Sequence, residues 1–158
     1  MPTSPEIIEL VHDILRNDLS LSEIKEWNMA TGLLTLASPG GSIGLEEEKF
    51  EEYTKEQDLA TATLSILIWA KNADPVAGEA EVRSLAQAVR LALATNRTLG
   101  GAADDSFVRG IRYATADGGK SLMLHLAEVD YRVNYYADRL PAENGMPIET
   151  VNHELEAE

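Results

Sequence analysis

The chain contains no cysteine, which excludes a disulfide framework, a thiol nucleophile, a thiolate zinc site and a cysteine-held iron–sulfur cluster. Cations are scarce too. Only 13 Lys and Arg stand against 27 Asp and Glu, a formal net charge of −14, and a nucleic-acid-binding face is not expected because neutralising phosphates needs a cationic stripe. Long apolar runs are also missing. Residues 64–70, interrupted by Ser65, fall far below the ~20 residues of a membrane span. The opening Thr3, Ser4, Pro5 and Glu6 have no basic leader, so we expect a cytoplasmic product with no targeting segment.

What remains is an ordinary globular composition, 44% hydrophobic and 25% charged over 158 residues, enough for one domain with a proper core. The acidity is unevenly placed. Residues 37–58 and 138–158 each carry a net −5, leaving −4 for the rest, so the charge belongs to a loop and a tail more than to the body.

Residues 5–16 place Ile7, Ile8, Val11, Ile14 and Leu15 at helical spacing, with Thr3 or Ser4 to cap and Pro5 near the first helical position. Residues 31–37 read as a short first strand ending at Ser38-Pro39-Gly40-Gly41. Three glycines in five residues followed by a glutamate run predict a long exposed arm over 38–58, from which Ile43, Leu45, Phe50 and Tyr53 are available to dock on a partner. Residues 59–70 alternate as a strand, with Ala62, Leu64, Ile66 and Ile68 on one face.

Asn72-Ala73-Asp74-Pro75 ends that strand, and residues 77–95 form a helix whose stripe is Val82, Leu85, Ala86, Val89, Ala92 and Leu93. After Gly100-Gly101 come two strands, 106–115 and 120–136, joined through Asp117-Gly118-Gly119. On the last strand Met123's face stays apolar, while the opposite face begins with Leu122, Leu124 and Leu126 and then turns polar. Helix, arm or another subunit is needed to cover that leucine patch. The expected architecture is a single α+β domain over residues 1–137. It has one antiparallel or mixed sheet of about four strands, helices on one face, the arm 38–58 inserted between the first two strands, and an acidic tail over 138–158.

Chemistry is sparse. His12, His125 and His153 have no ligand spacing, Gly41-Ser42-Ile43-Gly44 lacks the flanks of a nucleophile elbow, and no glycine pair is followed by Lys-Ser/Thr and a helix. Asp104-Asp105 is the best carboxylate pair, and adjacent loop acids are usually solvated turn residues. We expect no enzyme, no cofactor and no metal site.

The pieces around residues 62–70, the 79–94 helix, Asn96-Arg97-Thr98-Leu99-Gly100-Gly101-Ala102-Ala103-Asp104-Asp105 and the strands 108–113 and 122–135 resemble the tail-terminator proteins of long, flexible-tailed bacteriophages. The resemblance covers residues 59–137. It implies a virion protein made in the host cytoplasm that assembles with itself into a ring, typically a hexamer. Such a ring caps the tail tube protein, ends elongation and offers a surface to the head–tail connector protein, with DNA passing through unread and no membrane involved. Phage neck or head–tail connector proteins and other minor tail proteins have similar size and elements, and a small cytoplasmic ligand-binding or regulatory domain remains a different class with the same pattern.

Overall fold

The computed structural model of the chain describes residues 1–30, 37–117 and 123–139. Two helices, α1 (Ser4–Arg16) and α2 (Pro75–Thr95), pack on a five-stranded sheet made of β1 (Trp27–Asn28), β2 (Gly40–Glu52), β3 (Gln57–Lys71), β4 (Asp105–Asp117) and β5 (Met123–Asp138). The strand order is β1-β2-β3-β5-β4, antiparallel throughout except for the parallel β1–β2 pair. This is the expected α+β class, with a mixed sheet.

Both helices start on ordered chemistry. Glu6 accepts the Thr3 backbone N–H at 2.9 Å, and Asp74 accepts that of Val76 at 3.1 Å with Pro75 following it. Helix α2 buries the whole predicted stripe, and α1 buries Ile7, Val11 and Leu15. These meet Ala60, Ala62, Leu64, Ile66 and Ile68 of β3 and Ala127, Val129, Tyr131 and Val133 of β5 in one continuous core.

The predicted arm is where structure and expectation part. Residues 40–52 are not an unpaired arm but a full strand, in register with β3 from Gly40↔Trp69 to Glu52↔Asp58. The glycines that read as a linker are bare because indoles lie over them. A Cβ on Gly40 would stand 2.5 Å from the ring of Trp69, and one on Gly41 would come closer still to that of Trp27. Such close approach is possible only without a side chain. Ile43, expected to dock on a partner, is instead fully buried opposite Ile66, and Leu45 packs against the same core.

A β-bulge at Glu46 then shifts the parity of the strand, so that Glu48 and Phe50 face the same side as Ile43 and Leu45. The expected first strand, residues 31–37, lies outside the described residues except for Ala37, which is not in a strand, and residues 118–122 and the tail from 140 onward lie outside them too. The start of the proposed tail belongs to the body. Asp138 closes β5, and the Arg139 guanidinium donates to Asp58 at 2.9 Å and to the Thr54 carbonyl, clamping the tip of the β2–β3 hairpin.

The connection after α2 requires glycine twice. Leu99, Gly100 and Gly101 have φ of 50°, 73° and 98°, the left-handed region. Leu99 tolerates it because its side chain is buried, and the Thr98 carbonyl accepts the N–H groups of Gly101 and Ala103, both at 2.9 Å.

Candidate assembly surfaces

His125, which alternation placed on the core face, is buried and fully engaged. Its Nε2 lies 3.2 Å from the Asn72 carbonyl, which can only accept, so Nε2 carries the proton and Nδ1 accepts from the Thr115 hydroxyl at 3.3 Å. The ring presses on Gly78 of α2, where a Cβ would collide with it. This histidine locks helix to sheet. Among the described residues no group of three or more His, Asp or Glu is placed to hold a metal ion. Asp105, half of the carboxylate pair, instead receives two hydrogen bonds from Arg97, at 2.9 and 2.8 Å, and one from the Ser106 N–H at 2.8 Å.

That clamp anchors the Thr98–Gly101 connection to β4. Ser106 donates to the Arg97 carbonyl at 2.7 Å and accepts from the Tyr131 hydroxyl at 2.9 Å. Burial pushes the Tyr131 phenol up to about 12, so it stays a donor. Beside it, α2 and β4 enclose a cleft of about 280 Å³ lined by Arg90, Ala94, Arg97, Phe107 and Val108.

The sheet face turned away from the helices is polar. Glu128 accepts from Ser65 at 2.8 Å and from Arg112 at 2.6 Å, Arg132 bonds Asp130 at 3.2 Å, and Thr61 bonds Asn134 at 2.9 Å. A groove of about 290 Å³ runs over this network between Glu46 and Arg109. Its central carboxylate is already spent on its own chain. Leu124 and Leu126 lie at the end of this face, half-buried beside Lys71 and Trp69 of β3. Trp69, whose Nε1 donates to the Ala37 carbonyl at 2.8 Å, partly supplies the cover the leucines needed; Leu122 lies outside the described residues.

The Ser65 hydroxyl and then the Arg112 guanidinium hold the Glu128 carboxyl below its ordinary value, and Arg97 followed by the Ser106 N–H does the same for Asp105. A depressed folded-state pKa contributes stability above the unfolded carboxylate value, about 4, that is lost as pH falls through the folded value. The double variant Glu128→Gln, Asp105→Asn should therefore have a lower urea midpoint than the parent near neutral pH, with the gap closing as pH falls below about 4. Midpoints measured across that range check it. A gap unchanged by pH would show that the two carboxylates contribute nothing through their charge.

A solved structure bears on the fold. A chain from the virion of a native gene transfer agent particle superposes with a TM-score of 0.51 at 17% identity, over 83% of this chain and 95% of that one. The two share a fold. No protein-family model matches the chain, and no curated protein matches it in sequence.

Of the expected docking residues, Phe50 and Tyr53 stand out from the surface, 56% and 57% exposed. They occupy the β2–β3 hairpin tip, where the Tyr53 ring packs tilted against that of Tyr136, with centroids 4.8 Å apart. The α2–β4 cleft was not anticipated. Its one legible trace is Arg90 and Ala94, four apart on the exposed side of α2, while Arg97, Phe107 and Val108 join it only through folding.

Proposed function

We propose that this chain is a structural virion protein of a phage-like particle, a ring that caps the tail tube, ends its elongation and presents the surface to which the head joins. The observation that carries the reading is the fold shared with a virion chain over nearly the full length of that chain. The motif resemblance of residues 59–137 narrows the role from virion component to terminator. The described side chains fit a protein that works by occupying a polymer end. Its buried histidine and its Asp105 and Glu128 carboxylates are engaged within the chain, and Phe50, Tyr53, Phe107 and Tyr113 leave exposed aromatic surface on or beside the strands β2 and β4. Occupancy of the growing end by one closed ring suffices to block further tube subunits.

Deletion of the gene is expected to give tails of irregular, excessive length without heads, seen by negative-stain microscopy of lysates. Adding the purified protein to polymerising tube subunits should narrow the length distribution. Tails of normal length that fail to join heads would assign the chain to the neck or connector instead.

A further inference from the structure

The β2–β3 hairpin tip and the α2–β4 cleft sit at opposite edges of the sheet, with β3 and β5 between β2 and β4. The tip is acidic, and the cleft keeps one cation, Arg90, outside any ion pair among the described residues. At the tip the bulge at Glu46 turns Phe50 onto the helix side of the sheet, beyond the helices' cover, and leaves it 56% exposed. Residues 46–52 surround it with five glutamates against Lys49 alone. An aromatic knob in an acidic collar results.

The cleft is the converse. Ala94 and Val108 give it apolar walls, Phe107 stands at its edge, and Arg90, Arg97 and Asp105 line its rim. Arg97 is held by Asp105, whereas Arg90 makes no ion pair among the described residues. At about 280 Å³ the cleft is roomy enough for a phenyl ring, since a cavity of roughly 150 Å³ already takes benzene. Phe107 beside it is 52% exposed.

We propose that the hairpin tip of one copy docks into the α2–β4 cleft of the next, with Phe50 in the cleft and the glutamates facing Arg90. This deepens the ring reading and rests on it. The knob and the hole lie on different surfaces of one chain, so the contact is head-to-tail, the kind that closes into a ring when its rotation allows. Opposite charge on the two surfaces steers the encounter and disfavours tip-to-tip pairing.

The absence of cysteine permits a clean test. Phe50→Cys and Ala94→Cys replace side chains exposed in the single chain. Unchanged far-ultraviolet circular dichroism verifies that each variant folds. Mixed in equal amounts and mildly oxidised, the two single variants should form a covalent dimer at least tenfold faster than Phe50→Cys mixed with Leu19→Cys, a control at an 89% exposed site.

The double variant Phe50→Cys, Ala94→Cys should give a ladder ending at the ring's subunit number. Strands are about 4.8 Å apart, and a disulfide needs Cα atoms closer than about 7 Å; sites at opposite edges therefore cross-link only between copies. Mixed dimer no faster than the control, or Phe50→Cys pairing mainly with itself, overturns the proposal. Tail length separates the two ideas. Mixed disulfide with normal tails after gene deletion keeps the contact and removes the terminator role, and overlong tails with no mixed disulfide do the reverse.

Discussion

Val89→Asp is expected to abolish cooperative folding, or to lower stability by about 3 kcal/mol or more. Val89 is fully buried at the middle of the α2 stripe, between Leu85, Ala86, Ala92 and Leu93, and the stripe faces the apolar sides of β3, β4 and β5. A carboxylate placed there loses its water and finds no cation, and the packing of the valine is lost with it. Domains of this kind have only about 5–15 kcal/mol in reserve. Gln87→Glu, two residues away on the exposed flank, should change stability by less than about 0.5 kcal/mol. Urea unfolding of both variants measures the contrast. A soluble Val89→Asp protein with the parental midpoint would mean that α2 does not pack as described.

Gly40→Ala should cost about 3 kcal/mol, although the same substitution at an unobstructed strand site would gain about 0.5–1 kcal/mol through the unfolded chain. The added methyl would overlap the Trp69 indole, with three ring atoms between 2.5 and 2.7 Å away. That indole is fully buried and tied to the Ala37 carbonyl. It cannot swing into solvent without losing both its packing and its hydrogen bond. Because the chain has only two tryptophans, a red shift of their emission should accompany the loss of stability. The outcome also decides between strand and loose arm: if residues 38–58 were an unpaired arm, Gly40→Ala would leave both the melting temperature and the emission unchanged.

Elements whose pattern is confined to one segment are legible in the sequence. Helix α2 and the alternation of β3 and β5 follow from residues three or four apart, or two apart, sharing a face, and every stripe residue expected in α2 is buried. The exposure of Phe50 and Tyr53 is legible for the same reason, since a glutamate run is hydrated whether it is a strand or an arm.

Tertiary structure alone decided the rest. Gly40 and Gly41 carry the local signal of a linker, and only Trp69 and Trp27, distant in the chain, turn their missing side chains into a packing surface. The two-residue β1 is too short to leave a period, and the bulge at Glu46 reverses the inward and outward sense of the strand beyond it, which no alternation rule anticipates. The α2–β4 cleft joins Arg90 and Ala94 to Phe107 and Val108 across the left-handed Leu99-Gly100-Gly101 connection. Composition and periodicity determined which segments are helix and strand and which side of each is apolar, because those are properties of near neighbours. The pairing of edges, the burial of Ile43 and the joining of α2 and β4 into one cleft depend on contacts between residues far apart in the chain, which exist only after folding.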